Sequence, residues 1–349
     1  MQLRHLTLAL ILGFTSLALA QNVPQARFNP SQFFNAQVER GAGELSDIYD
    51  AAQSAAVRVE TRGGGVGSGF FISADGQVMS AYHVVRGGGG VRVVTSDGSR
   101  LPATVVGFDE FRDVALLQVE ADEPRDFLPL ETTTPTFGED VLAIGNSRGQ
   151  FNAPRSGRVT ALGQTLGASF PEDLIAMTVP LAPGDSGGPV LNAQGEVIGV
   201  VTAVSVSRAG IASFAAPVFE QAAFVDELRA GLQRSVPFLG VSLLPLTPEA
   251  VAELGFGEPG GLLVTGVVSG SGADAAGLRE PVTEEAQGQN PEVRAADIIT
   301  AVDGREVANF DDLVGYLRTL SIGDEVLLSL LREGEVLEVS VTLGSREAV

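Results

Sequence analysis

Lysine, cysteine and tryptophan are missing from this chain of 349 residues, and histidine occurs twice. Each absence excludes a class of chemistry. Without Cys there is no disulfide framework, no thiolate metal site and no cysteine nucleophile. Every one of the 22 basic residues is Arg, set against 43 acidic ones for a net charge of −21. No basic cluster supplies the phosphate neutralisation on which nucleic-acid affinity rests, so DNA and RNA are excluded as partners. The two imidazoles are His5 and His83. A zinc site of two or three His is excluded, whereas composition leaves an all-oxygen calcium site open. No metal site and no cofactor is assigned. At 44% hydrophobic and 19% charged, the chain is too apolar to be disordered, and its length favours two domains.

Long apolar runs are scarce as well. The one near the N-terminus, residues 6–19, follows Arg4 and ends in Ala18-Leu19-Ala20, the pattern of an export signal with a small-residue cleavage site. It is shorter than the ~20 residues a spanning helix needs. Residues 1–20 therefore read as a signal peptide, and the mature protein is expected in the periplasm or outside the cell, with no stable membrane insertion. If the leader is removed, His83 is the sole imidazole left. Residues 21–43 are polar but carry Phe28, Phe33 and Phe34, an apolar patch that a soluble exported monomer seldom leaves bare.

A helical pattern over residues 44–56 gives way to short apolar runs broken by Gly and by the turns Asp75-Gly76 and Asp97-Gly98. Runs at 69–73, 91–96, 114–119 and 197–204 imply a mainly β architecture, a sandwich or barrel. Residues 219–232 restore helical spacing, and 233–236 read as a linker. A second module of different composition, 237–345, has four or five strand-like runs and one good helix at 310–320. Its polar stretch 280–294 reads as an exposed loop.

Three segments carry the chemistry. They are Ser80-Ala81-Tyr82-His83, Phe111-Arg112-Asp113-Val114 and Gly184-Asp185-Ser186-Gly187-Gly188-Pro189. Amide hydrolysis needs a nucleophile, a base to take its proton and a group that fixes the base's tautomer. Ser186, His83 and Asp113 supply these in the order His, Asp, Ser, separated by 30 and 73 residues. That spacing places His and Asp in one half of the β domain and Ser in the other, with the site at their junction. An oxyanion hole requires backbone N–H groups aimed at one point without side chains in the way, and Gly184 and Ser186 are the expected donors.

These residues bring a resemblance into view, because the domain at 44–232 resembles the trypsin-like proteases of the HtrA (Deg) family. Gly67-Ser68-Gly69-Phe70, Val106-Gly107-Phe108-Asp109, Ala143-Ile144-Gly145-Asn146 and Gly195-Glu196-Val197-Ile198-Gly199 extend it beyond the triad. The resemblance implies a chymotrypsin-like double β-barrel followed by an α+β PDZ domain. It also implies unfolded or damaged protein chains as substrates, and a homotrimer assembled through aromatic residues near the mature N-terminus. Asp185 stands where the family usually has Asn, and Tyr82 replaces a common Asn. Six residues before Ser186, where basic-specific digestive enzymes place an acid, this chain has Pro180. Cleavage after small or medium aliphatic residues is therefore expected.

In the second module, Phe238-Leu239-Gly240-Val241 resembles the PDZ loop that receives a C-terminal carboxylate. A peptide would add as a strand along 241–244, with the 310–320 helix closing the groove. The reading favoured by the sequence is an exported, ATP-independent serine endopeptidase of protein quality control. Two others stand beside it: a peptide-binding holdase or scaffold with secondary proteolysis, and a regulatory protease with one dedicated substrate.

Overall fold

The computed structural model describes residues 42–87, 89–120, 123–147, 150–207, 210–219, 222–247, 250, 260–284, 292–294 and 297–346. The leader and Phe28, Phe33 and Phe34 lie outside the described residues. The chain divides into two compact units at residues 235 and 236.

The first unit opens with helix α1 (Ala42–Ala52) and then forms six strands: β1 (Ala56–Thr61), β2 (Val66–Phe71), β3 (Gln77–Ser80), β4 (Val91–Val94), β5 (Arg100–Asp109) and β6 (Val114–Val119). Helical spacing ran to residue 56 in the sequence, yet Ala56 already belongs to a strand. The β-branched Val57 and Val59 alternate inward there, both fully buried, and pairing with β2 and β4 overrides the helical pattern. The strands run in the order β5-β4-β1-β2-β3-β6 and close through a β5–β6 pairing into a barrel. Phe70, Met79, Leu116 and Leu117 fill it. Each such side chain contributes about 1.5–3 kcal/mol on burial. The Asp97-Gly98 turn joins β4 to β5, with Gly98 at φ 85°, a left-handed conformation that Gly adopts without a Cβ penalty.

A second barrel follows from β7 (Asp140–Gly145), β8 (Ala153–Gln164), β9 (Leu174–Met177), β10 (Pro189–Leu191), β11 (Val197–Ser207) and β12 (Gly210–Pro217), closed in the order β10-β11-β12-β9-β8-β7. Val141, Ile175, Met177, Val190 and Ile198 form its core. Together they make the double barrel of the chymotrypsin type. Between β3 and β4 sits one helical turn, α2 (Tyr82–Val85), and after β12 comes α3 (Ala222–Arg229). That helix is shorter than the 219–232 pattern. Gly231, at φ 90°, turns the chain out of it.

Residues 233 and 234, expected as linker, instead form β13 (Gln233–Arg234), which lies parallel to β5 in the register Gln233↔Phe108 and Arg234↔Asp109. The guanidinium of Arg234 pairs with the fully buried carboxylate of Asp109. This pair and the bond from the Glu110 N–H to the Arg234 carbonyl (2.8 Å) give the segment a place on the barrel.

The second unit is a sheet in the order β14-β15-β18-β20-β21, made of β14 (Val241–Leu246), β15 (Gly261–Val267), β18 (Ile298–Val302), β20 (Glu325–Arg332) and β21 (Glu335–Thr342), with β19 (Arg305–Glu306) on β18. Two helices complete it, α4 (Gly272–Ala275) and α5 (Phe310–Leu317). A capping box between Asn309 and Asp312 starts α5, and Arg318 caps its end, three residues' worth of pattern earlier than the sequence suggested. Leu313 and Leu317 drive its apolar face into the core with Leu262, Val264 and Leu328. The stretch 280–294, read as a plain loop, holds a two-stranded hairpin of β16 (Val282–Glu284) and β17 (Glu292–Arg294). Pairing there is local and lacks the long apolar alternation that marks a core strand, so the sequence does not advertise it. Asp297 is fully buried and takes both Nε and Nη2 of Arg332 (2.6 and 2.7 Å) together with the Arg279 N–H (2.8 Å). No helix among the described residues is long and apolar enough to cross a membrane.

Candidate active site

His83 projects from α2, the single turn that interrupts the first barrel after β3, and its imidazole is more than a third exposed. Its neighbour Tyr82 is buried and stacks on Phe108 with ring centroids 4.5 Å apart, which anchors the turn to β5. Asp113 follows β5 at the head of β6. The backbone there is left-handed, at φ 57°, a conformation that Asp tolerates better than most side chains. The preceding turn is shaped by Asp109, whose carboxylate accepts the N–H groups of Phe111 (2.9 Å) and Arg112 (3.2 Å).

The Asp113 carboxylate has a full set of donors. Oδ1 accepts the backbone N–H of His83 at 2.9 Å, and Oδ2 lies 2.7 Å from His83 Nδ1 and also accepts the hydroxyl of Thr202 from β11. The backbone repeats the tie, since the Tyr82 N–H donates to the Asp113 carbonyl at 3.1 Å. With Nδ1 donating to the carboxylate, Nε2 is left as the acceptor of the imidazole, the tautomer a general base needs.

Ser186 sits half-buried in the loop before β10. Gly184 and Gly187 hold φ values of +100° and +87°, and a Cβ at Gly187 would come within 2.2 Å of the Ser68 carbonyl oxygen and 3.0 Å of the Ala81 nitrogen. Only Gly fits so close to the strand that leads into His83. On the other side the Gly187 N–H donates to the Val201 carbonyl (2.8 Å), next to the Thr202 that holds Asp113. The Ser186 loop is thus packed between the supports of His83 and of Asp113.

Two further residues fix the loop. Ser68 of β2 donates its N–H to the Ser186 carbonyl and its Oγ to the Gly184 carbonyl, both at 2.7 Å, and its Oγ accepts the Asn146 N–H at 2.9 Å. Asp185, 1% exposed, accepts the Ser147 N–H at 3.1 Å on Oδ1 and the Ala182 N–H at 2.9 Å on Oδ2. Among the described residues, the backbone N–H groups of Gly184 and Ser186 donate to no protein acceptor. Two neighbouring donors without an acceptor are what a developing oxyanion requires.

Pro180 is half-buried three residues past β9, just after Val179, whose carbonyl accepts the Ser213 hydroxyl at 2.6 Å. In the second unit, Phe238 pairs both of its backbone groups with Gly344 (2.9 and 3.0 Å), and the Arg346 guanidinium lies 4.9 Å from its ring centroid. The Leu239 carbonyl accepts the Ala273 N–H (3.0 Å) and the Gly240 carbonyl accepts the Val268 N–H (2.8 Å). Among the described residues, the N–H groups of Leu239 and Gly240 have no protein acceptor. Val241 begins β14, an edge strand.

The sequence did not point to Thr202 or Arg346 at all, and it gave Ser68 only as part of a family motif. Thr202 lies 89 residues from its partner Asp113. Its one signal is the hydroxyl that interrupts the apolar run 197–204.

Residues 67–200 match the model of the trypsin-like peptidase domain, and residues 237–343 match that of the PDZ domain. The chain belongs to the HtrA family. A probable periplasmic serine endoprotease, DegP-like, of Chlamydia trachomatis serovar D is 34% identical over 281 residues, covering 79% of this chain and 53% of the relative. The protein of the same description from Chlamydia pneumoniae is 32% identical over 319 residues, covering 90% and 61%, and that of Halomonas elongata is 33% identical, covering 80% and 56%. The chain thus spans between half and two thirds of the length of these HtrA relatives. Among solved structures, the HtrA-type protease AlgW with a tripeptide is 26% identical, with a TM-score of 0.50, and the match covers 87% of this chain and 98% of that one.

Proposed function

We propose that this HtrA protein is an exported serine endopeptidase that cuts unfolded or damaged polypeptides without ATP or any cofactor. The observation that carries this reading is the cluster around Asp113, where a buried carboxylate fixes the His83 imidazole beside a loop with two unengaged N–H groups. Ser186 Oγ attacks the scissile carbonyl carbon while His83 Nε2 takes its proton, and Asp113 stabilises the imidazolium that forms. The oxyanion of the tetrahedral intermediate accepts the N–H groups of Gly184 and Ser186. Collapse breaks the C–N bond, His83 returns the proton to the leaving amine, and water then hydrolyses the acyl-enzyme by the same route.

Pro180 in place of an acid favours cleavage after Val, Ala, Leu or Ile. The names of the relatives and the leader pattern support a periplasmic location. The unengaged N–H groups of Leu239 and Gly240 beside the free edge of β14 support recognition of C-termini or hydrophobic segments by the PDZ domain. Phe28, Phe33 and Phe34 support a homotrimer.

Purified mature chain, incubated with unfolded casein, is expected to release fragments with aliphatic residues at the new C-termini. Ser186→Ala and His83→Ala abolish that turnover, and Asp113→Asn lowers it by roughly 10⁴ because the imidazole tautomer is no longer fixed. Normal turnover in any of the three overturns the assignment. Cuts after Arg by mass spectrometry overturn the specificity. Light scattering of the mature chain and of a version starting at Gly43 tests the trimer, which a monomeric mass for the former refutes.

A further inference from the structure

The PDZ unit carries a proline in the strand to which a peptide would add. Pro245 lies in β14, whose single sheet neighbour among the described residues is β15, in the register Leu243↔Val264, Leu244↔Leu263, Pro245↔Leu262, Leu246↔Gly261. Antiparallel residues alternate between pairs that exchange both hydrogen bonds and pairs that exchange none. Proline has no N–H, so Pro245↔Leu262 is a pair of the second kind, and Pro245 turns its nitrogen to the free edge.

Two independent features agree with that phase. The Val264 N–H donates to the Asp297 carbonyl at 2.8 Å, away from Leu243. Beyond the irregularity between Ser242 and Leu243, the bond from the Val268 N–H to the Gly240 carbonyl (2.8 Å) brackets Val241↔Val267 as another pair that exchanges none. Val241, Leu243 and Pro245 are therefore the residues that face the edge.

A C-terminal carboxylate on the N–H groups of Leu239 and Gly240 fixes the register of an added antiparallel strand. The last ligand residue then lies opposite Val241, the third from the end opposite Leu243, and the fifth from the end opposite Pro245. At Leu243 the ligand exchanges two hydrogen bonds. At Pro245 its carbonyl finds no donor, and the ring occupies the place of one. We propose that Pro245 limits recognition to about the last four residues of a ligand, so that this groove reads short C-terminal tails and is indifferent to the sequence upstream. The proposal rests on reading residues 239–241 as a carboxylate loop.

The test uses the full chain carrying Ser186→Ala, which prevents cleavage, titrated calorimetrically with N-acetylated peptides ending in Val, Leu, Ile or Phe. Each is made with four residues and with seven, and each also as the C-terminal amide. For the best ligand, the two lengths are expected to bind within about threefold of each other, and amidation to abolish binding. Pro245→Ala restores the missing donor and should tighten the seven-residue peptide by about 2–10-fold while leaving the four-residue one unchanged. Seven residues binding more than tenfold tighter than four in the presence of Pro245 overturns the length limit alone. Equal binding of acid and amide, or no binding of any peptide, overturns the carboxylate loop and the limit with it. Thermal unfolding of Pro245→Ala verifies its fold, and an unfolded variant leaves the comparison of lengths with Pro245 in place to decide.

Discussion

Asp185 precedes Ser186 and holds two backbone N–H groups around its loop, and its replacement has a calculable effect. Its two carboxylate oxygens each take one backbone donor, from Ser147 and from Ala182, at 3.1 and 2.9 Å, and the side chain is shut off from water. Asn, the residue common in the family, keeps one acceptor oxygen and turns an NH₂ group toward the other donor. One of the two bonds is lost. A hydrogen bond to a charged acceptor is worth about 1.5–3 kcal/mol, so Asp185→Asn should shift the equilibrium of the ordered loop by roughly 10–100-fold. Asp185→Ala leaves both buried donors without an acceptor at about 1–3 kcal/mol each and exceeds that loss. The assay is the second-order rate at which a fluorophosphonate labels Ser186, measured beside kcat for casein. Both rates should fall together, by 10–100-fold for Asn and further for Ala, because the Gly184 and Ser186 N–H groups flank the residue that has let go. Labelling at the original rate in Asp185→Ala refutes the claim that this carboxylate orders the oxyanion loop.

Thr202→Val keeps the shape but removes the hydroxyl donated to Asp113; kcat is expected to fall about 10–100-fold with KM little changed, and Thr202→Ser to recover most of it. An unaltered kcat in Thr202→Val excludes a positioning role. Arg234→Ala takes one cation from buried Asp109, which keeps Arg112 at 3.5 Å and two N–H donors, so a loss of about 1–3 kcal/mol is expected as a lower melting temperature. A melting temperature equal to that of the unaltered chain refutes it. The hydroxyl of Thr95, followed by the N–H of Ser99, holds the Asp97 carboxyl at about 2. Because this value lies below that of an unfolded Asp, its contribution to stability is present above about pH 4 and disappears as pH falls through about 2. Acid denaturation of Asp97→Ala should lack that part of the decline, and curves that superimpose between pH 4 and 2 refute it.

The two barrels and the candidate residues His83, Asp113 and Ser186 were legible because each leaves a local mark. Alternating Val residues, Asp-Gly turns and a Gly-rich loop are written in neighbouring positions, and with only His5 and His83 in the chain the candidate bases are two. The errors fall where local pattern and tertiary pairing disagree. Ala56 ends a helical pattern yet starts β1, and Gln233 and Arg234 look like linker yet lie along β5, because their partners are 14 and 125 residues away.

The same argument explains which parts of the site stayed hidden. Ser68 reaches Gly184 across 116 residues and Thr202 reaches Asp113 across 89, and no spacing rule connects a hydroxyl in a strand to a loop so remote. These bonds nonetheless tie the Ser186 loop to a strand of the first barrel and hold the Asp113 carboxylate from a strand of the second. The site needs both barrels, because Ser68 of β2 takes up the carbonyls of Gly184 and Ser186. Its assembly is therefore a test of docking: Ser68→Ala leaves the Gly184 carbonyl without its side-chain donor and the Asn146 N–H without an acceptor while preserving both cores. It should reduce fluorophosphonate labelling of Ser186 far more than it lowers the melting temperature. A proportionate loss of both would mean that barrel docking and loop order are a single cooperative event.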